Sequence, residues 1–259
     1  MKILTCNAGY LLGYQNVLWG YAPPPITSVF GNTTVERRAL EHLASVIERE
    51  RPDIVSLLEV DQGSHRTVTN GQFRTIRRTL ERRGLSYDGD VANKYGTDGV
   101  VSSLPFFSQL GNAVLARTEH STTTHYLSAG RKRLVLEVEL ATGLVLFMVH
   151  LSLGARSRSR QLAQLADLVT ARADGRDVVV TGDFNTFGQS EELATFADRS
   201  GLELRVPGET IPKRPLDDLF VDSRSLDLFL CSPALEVERC DVLDEQVSDH
   251  RPIVLETGR

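Results

Sequence analysis

The chain has 259 residues, 41% of them hydrophobic and 24% charged, which are the proportions of an ordinary globular protein. Its formal net charge of −5 argues against a protein that holds nucleic acid by bulk attraction alone, although a nuclease that takes its positive charge from a bound metal stays open. Cys6, Cys231 and Cys240 lack metal-ligand spacing, and the apolar runs around Cys6 and Cys231 predict buried free thiols, which favours a reducing compartment. Because no apolar run could span a bilayer and the N-terminus has no signal-peptide core, we expect a cytoplasmic location.

The first half of the chain alternates predicted strands and helices around one long loop. Residues 2–6 and 54–58 are short apolar runs typical of strands. Residues 10–32 fit no period and contain three consecutive prolines, so we interpret this segment, which includes Trp19, as a long ordered loop of functional importance. A capping box at Thr33-x-x-Glu36 begins one helix, which ends before Pro52, and a second amphipathic helix ends at Gly84.

The second half adds hairpins and two further helices. Apolar runs predict strands over residues 112–116, 134–140, 144–151, 177–181, 226–231 and 252–255. Helical periodicity covers residues 162–169, and Ser190 is a candidate cap for a helix that Gly201 closes. These elements predict an α/β protein with two packed sheets and helices outside them, and we see no repeat, linker or boundary that would divide residues 1–259 into more than a single domain.

Two polar motifs stand at the ends of predicted strands in the second half of the chain. Thr181-Gly182-Asp183-Phe184-Asn185 follows one buried strand, and Ser248-Asp249-His250-Arg251-Pro252 precedes the last one. Asp183 and Asn185 alternate on an extended segment, so a carboxylate that can activate water and an amide that can donate to a phosphoryl oxygen can face one pocket. The same segment also suits an Asx-turn, and the two interpretations stay open at this point.

Seven motifs, in this order, resemble those of the endonuclease/exonuclease/phosphatase superfamily. They are Asn7 after the first strand, Leu58-Glu59-Val60-Asp61, Gly111-Asn112-Ala113-Val114-Leu115, Val149-His150-Leu151-Ser152, Gly182-Asp183-Phe184-Asn185, Leu226-Asp227-Leu228 and Ser248-Asp249-His250-Arg251-Pro252. The match runs from residue 3 to residue 255, nearly the whole chain. The resemblance implies one catalytic domain with a four-layer α/β sandwich fold, in which two mostly antiparallel sheets are flanked by helices. It also implies hydrolysis of a P–O ester bond by in-line attack of water.

The resemblance assigns an expected role to each motif. Asn7, Glu59 and Asp249 are expected to bind a divalent cation, Mg²⁺ or alternatively Mn²⁺, since hard cations take oxygen ligands. The catalytic residues are expected to be Asp183 for orienting water, Asn185 for holding the phosphate, Asp227 for fixing the tautomer of His250, and His150 and His250 as donors to substrate oxygens. His150 favours the deoxyribonuclease I and sphingomyelinase branches over the abasic-site endonucleases. Ala8-Gly9 replaces an acidic residue of several nuclease branches, so fewer protein groups are expected to hold the metal.

The sequence leaves the substrate class open. Asn112 and Arg156 are candidate substrate-binding residues, although a solvated helix start also explains Arg156. The aromatic loop with Trp19 contains no Lys or Arg, which favours a lipid headgroup or contact with a membrane surface over a polyanion. The main hypothesis is a monomeric phosphodiesterase acting on nucleic acid or a phospholipid-type diester. The alternatives are a phosphomonoesterase acting on a small polyol or inositol phosphate, and an inactive binding module.

Overall fold

The computed structural model describes residues 1–11, 33–63, 71–94, 109–186, 190–211 and 225–258. The strands are β1 (Lys2–Asn7), β2 (Ile54–Asp61), β3 (Asp88–Asn93), β4 (Leu110–Ala116), β5 (His120–Tyr126), β6 (Leu134–Leu140), β7 (Val145–His150), β8 (Val178–Asp183), β9 (Glu203–Arg205), β10 (Asp227–Cys231), β11 (Val237–Val242) and β12 (Ile253–Thr257). The helices are α1 (Thr33–Glu50), α2 (Gln72–Arg82), α3 (Ala155–Arg172) and α4 (Glu191–Ser200). No helix in these ranges is both long and apolar enough to cross a membrane.

The strands form two six-stranded sheets. The first has the order β11-β12-β1-β2-β4-β3 and the second the order β5-β6-β7-β8-β10-β9. Among the described strands, only the pairs β1–β2 and β7–β8 are parallel, and every other pairing is antiparallel. The predicted α/β sandwich of two mostly antiparallel sheets is therefore confirmed.

Three apolar layers separate the four layers of secondary structure. One cluster packs α1 and α2 against the first sheet, and another packs α3 and α4 against the second. The third lies between the sheets and contains Ile3 and Ile253 from the first sheet and Leu146, Val179 and Phe229 from the second. Each sheet is thus buried on both faces, which is why the central strands are almost continuously apolar.

Sequence analysis missed four strands, β3, β5, β9 and β11, and each of them forms the edge of a sheet. Their residues are mostly exposed or half-buried, as in the His120–Tyr126 strand with its run of serine and threonine. An edge strand forms backbone hydrogen bonds with only one neighbouring strand, and its sequence contains few buried apolar residues.

Alternation along each strand directs one set of side chains between the sheets. In β8, Val179 lies in the inter-sheet core, whereas Val178 and Val180 pack toward α3 and α4. Two residues beyond Val179, Thr181 places its Oγ1 atom 2.9 Å from Oγ1 of Thr5 on β1 of the opposite sheet. The inter-sheet layer is therefore apolar in its middle and becomes polar toward the end at which β1 and β8 finish.

Gly182 allows β7 and β8 to pair at this polar end. Its φ is 137°, and a Cβ atom added there would lie 1.9 Å from the carbonyl oxygen of Val149. We therefore expect Gly182→Ala to lower the free energy of unfolding by at least about 3 kcal/mol, because both the backbone conformation and the strand pairing become strained. Urea denaturation should show this loss. Gly154→Ala, which meets no atom within 4 Å, is the control, and equal stability of the two variants would contradict the prediction.

Candidate active site

Five buried polar side chains lie on the inter-sheet faces of their strands at one end of the sandwich. They are Asn7 at the end of β1, Asn112 near the start of β4, His150 at the end of β7, Asp183 at the end of β8 and Asp227 at the start of β10. The parallel pairs finish at the same edge, and the antiparallel strands β4 and β10 begin there. The strand order thus brings together residues that are far apart in the sequence.

Glu59 reaches this site through an irregularity in β2. The pairing of β2 with β4 shifts register between Leu57 and Val60, and Glu59 has a φ of 54°, in the left-handed region. Leu57 and Val60 both pack toward α1 and α2, so the additional residues between them allow Glu59 to turn away from that apolar layer. Its Oε1 atom lies 3.2 Å from Nζ of Lys94 and 3.8 Å from Nδ1 of His150.

The charges around Glu59 keep its carboxylate ionised. Burial raises the pKa of Glu59, but the neighbouring Lys94, His150 and Lys132 outweigh burial and lower the pKa to about 2. Glu59 thus remains an anion at neutral pH, the form in which a carboxylate binds a cation. Both of these contacts of the carboxylate are made by Oε1.

Asp183 joins the two sheets through hydrogen bonds. Its Oδ2 atom lies 3.2 Å from Nε2 of His150 and accepts a hydrogen bond of 3.4 Å from Nδ2 of Asn7. Burial raises the pKa of Asp183, but the neighbouring His150, His250 and Lys132 outweigh burial and bring it below its usual range. Burial and Lys132 lower the pKa of His150. Asp183 is therefore a carboxylate and His150 a neutral imidazole at pH 7.

His250 and Asp227 form the predicted pair. Nδ1 of His250 lies 2.6 Å from Oδ2 of Asp227, and the backbone N–H of His250 donates to Oγ of Ser248, which in turn donates to the carbonyl of Asn7. Burial opposes the charged form of both partners: it raises the pKa of Asp227, and alone it would lower that of His250. Asp227 reverses the second effect and raises the pKa of His250 to about 10, so the pair retains a proton at neutral pH.

Two asparagines organise the backbone at the site. Nδ2 of Asn185 donates to the carbonyl of Leu151 at 2.8 Å, and the backbone N–H of Asn185 donates to Oδ1 of Asp183 at 3.0 Å. Oδ1 of Asn112 accepts a 3.2 Å hydrogen bond from the backbone N–H of Glu59. Nδ2 of Asn112 is buried and has no hydrogen-bond partner in the described part of the chain, which fits its predicted substrate-binding role.

Two lysines, Lys94 and Lys132, were not identified as site residues from the sequence. Lys94 is buried and contacts both Glu59 and the hydroxyl of Tyr10, and Nζ of Lys132 contacts Nε2 of His150. Lys94 follows an edge strand that carried no sequence signal, and Lys132 lies in a basic run that is typical of a solvated turn. Only the tertiary structure shows that both ammonium groups reach the site.

The oxygen atoms at the site are suitable ligands for a hard divalent cation, and the number of protein ligands is small. Glu59 is ionised, and Asn7 is an amide on the neighbouring strand, paired with the residue before Glu59. No three His, Cys, Asp or Glu side chains of the described residues are grouped to bind a metal by themselves. Mg²⁺ commonly uses one or two carboxylates and keeps several waters, so this small donor set suits it.

The remaining predicted residues are less closely connected to this cluster. Asp249 is half-buried, and its charge is one of those that raise the pKa of His250. Arg156 is exposed on the first turn of α3, and no contact described above involves it. Trp19 and the aromatic loop beyond Leu11 lie outside the described residues.

Several solved structures share this fold. An endonuclease/exonuclease/phosphatase family protein from Leptotrichia buccalis is 16% identical, with a TM-score of 0.72 and 100% of both chains covered. The human Nocturnin catalytic domain with bound sulfate anion is 20% identical, with a TM-score of 0.68, and the match covers 100% of this chain and 94% of that one. A mannosyl-6-phosphatase from Bacteroides thetaiotaomicron is 15% identical, with a TM-score of 0.63 and 100% of both chains covered. At these identities the likeness shows the fold alone.

Sequence comparison gives the family. No curated protein matches the chain. The family model described as the Endonuclease/Exonuclease/phosphatase family matches residues 13–250, which is most of the chain. The ordered motifs, the two-sheet fold and this match agree, and the chain therefore belongs to the Endonuclease/Exonuclease/phosphatase family.

Proposed function

We propose that this protein is a Mg²⁺-dependent phosphodiesterase. Enzymes of the family hydrolyse phosphoester bonds. We propose in addition that the metal is Mg²⁺ and that the substrate is a diester. The observation that carries it is the chain of contacts from Glu59 through His150 and Asp183 to Asn7, with the His250–Asp227 pair alongside. Cation ligand, water-activating carboxylate and proton donors thus meet in one place.

The side chains divide the reaction between them. Asp183 orients a water molecule and takes its proton as the water oxygen bonds to phosphorus and the opposite P–O bond breaks. The protonated His250 donates from Nε2 to a non-bridging oxygen, which stabilises the charge that develops there. The leaving oxygen takes up a proton that the ammonium of Lys132 can supply through Nε2 of His150, which it contacts. A cation held by Glu59, Asn7 and Asp249 would polarise the phosphoryl group when bound.

Metal binding is expected to depend on Glu59. Glu59→Gln keeps the size of the side chain and removes its charge, so we expect the affinity for Mg²⁺ and Mn²⁺ to fall at least about 100-fold, as measured by isothermal titration calorimetry. Glu41→Gln, which changes an exposed carboxylate on α1, is the matched control. Wild-type affinity in the Glu59→Gln protein would show that the metal binds elsewhere.

A substrate panel tests the reaction class. Plasmid DNA, single-stranded RNA, sphingomyelin and phosphatidylinositol represent the diesters, and inositol phosphates and a sugar phosphate represent the monoesters. We expect the highest kcat/KM with Mg²⁺ for a diester. Turnover of monoesters alone would replace the phosphodiesterase proposal, and no turnover by a protein that binds Mg²⁺ would favour the inactive binding module.

The lysines support a phosphomonoesterase as the second candidate function. Lys94 and Lys132 add two positive charges around Glu59 and His150, and a terminal phosphate dianion gains more from such charges than a diester monoanion does. A mannosyl-6-phosphatase shares the fold, which is in keeping with this alternative. The monoester half of the panel decides between the two.

A further inference from the structure

The first turns of α3 place two buried polar side chains beneath the active site. Arg158 and Gln161 are 8% and 0% exposed, and their spacing of three residues puts them on one face of the helix. Buried arginine and glutamine side chains need hydrogen-bond partners. Here those partners are backbone groups of three connections that reach the site.

Arg158 joins the connections that follow β7 and β8. Its Nη1 atom donates to the carbonyl of Leu153 at 2.7 Å and to the carbonyl of Asn185 at 2.9 Å. Asn185 has a φ of 52°, in the left-handed region, which a non-glycine residue keeps only when its surroundings hold it there. Nε of Arg158 donates to Glu192 on α4 at 2.7 Å, and this carboxylate balances the buried charge.

Gln161 joins the connection after β7 to the one before β6. Its Oε1 atom accepts a 2.9 Å hydrogen bond from the backbone N–H of Ser152. Its Nε2 atom donates to the carbonyls of Ala129 and Lys132 at 2.8 Å and 2.6 Å. The backbone that carries Lys132 is therefore tied to the backbone that follows His150.

We propose that Arg158 and Gln161 are positioning residues that act together as a clamp, which holds these three connections in fixed positions relative to one another. They touch none of the predicted reacting atoms. They instead fix the backbone next to His150, Asp183 and Lys132, and a displacement of about 1 Å at such groups can cost roughly 100-fold in rate. The kinetic part of this proposal rests on the proposed phosphoesterase function.

Hydrogen exchange tests the clamp without reference to activity. In Arg158→Met and Gln161→Met, amide exchange in residues 151–153 and 184–186 is expected to rise at least tenfold in the substrate-free protein, with little change in the central strands. The matched controls are Arg199→Met, which removes an exposed α3–α4 ion pair with Asp167, and Gln164→Met, which removes contacts with Ser128. Unchanged exchange in both clamp variants, or an equal rise in both controls, would overturn the proposal.

Steady-state kinetics tests the positioning role. With a substrate from the panel, kcat is expected to fall about 100-fold in Arg158→Met while KM changes less than about threefold. Arg158→Lys should recover part of the loss, since an ammonium can donate to one of the carbonyls but lacks the planar fork. If Arg158→Met does not fold, Gln161→Met carries the same test. Wild-type kcat in a clamp variant would overturn the positioning role, whereas an inactive wild-type protein would remove the proposed function and leave the exchange test valid.

Discussion

Asp183→Asn is expected to lower kcat by at least about 10³-fold, in the upper part of the range for general acid–base groups. The substitution preserves the shape of the side chain, and an amide oxygen can still accept from the N–H of Asn185, as Oδ1 of Asp183 does at 3.0 Å. It removes the negative charge next to Nε2 of His150, together with the group that takes a proton from water. Because the charge matters for the chemical step, KM should change much less than kcat.

The measurement is steady-state kinetics on the best substrate of the panel, with circular dichroism to show that the fold is retained. Asp167→Asn is the matched control, since it makes the same chemical change at an exposed position on α3. Near-normal turnover by Asp183→Asn would refute the assigned role of Asp183. A loss of both secondary structure and activity would instead show that the residue is needed for folding.

His250→Asn is expected to have the second-largest effect, a fall in kcat of about 10²- to 10³-fold. Asparagine can place an amide N–H where Nδ1 of histidine lies, so the contact with Asp227, 2.6 Å in the wild-type protein, can be kept while Nε2 is lost. Alanine would leave the buried Asp227 without its partner and add a stability defect. A kcat within tenfold of wild type would show that Nε2 of His250 does not serve the reaction.

The same residue predicts a pH dependence of stability in the metal-free protein. The folded-state pKa of His250 is raised from 6.5 to about 10, so its contribution is complete below about pH 6.5 and is lost as the pH rises toward 10. Denaturant titrations from pH 6 to pH 10 should therefore show a decline that is absent in His250→Asn. Asp227→Asn should make the decline smaller and move it to lower pH, because the largest contribution that raises the pKa of His250 is lost while Asp183 and Asp249 still raise it. An identical pH profile in the wild-type protein and His250→Asn would contradict this assignment.

Apolar runs in the sequence predicted the central strands of each sheet and missed the edge strands. Central strands such as β7 and β8 are covered on both faces, so their sequences are apolar runs that stand out from their surroundings. The edge strands β5 and β11 escaped prediction because each pairs with one neighbour only and its residues are exposed or half-buried, which leaves a weak apolar signal in the sequence. The helix α4 was predicted from its ends, where Oγ of Ser190 accepts from the N–H of Leu193 and Gly201 has a φ of 69°.

The predicted polar residues at strand ends were the most informative part of the sequence. Asn7, Asp183 and His150 each follow an apolar run, and parallel neighbours deliver such ends to one edge of a sheet. Their contacts with one another agree with the predicted pocket. Whether the pocket binds Mg²⁺, and which ester it cleaves, remain predictions for the calorimetry and the substrate panel.

The sequence by itself determined the family, the central strands and the acidic, amide and imidazole side chains of the candidate active site. Each of these can be recognised from a short contiguous segment of the chain. The tertiary structure alone decided how Glu59 is aimed, since a register shift between β2 and β4 depends on the pairing of two strands. It also decided that Lys94 and Lys132 enter the site and that Arg158 and Gln161 lie beneath it. These contacts join residues far apart in the chain, and packing of the two sheets and of α3 creates them.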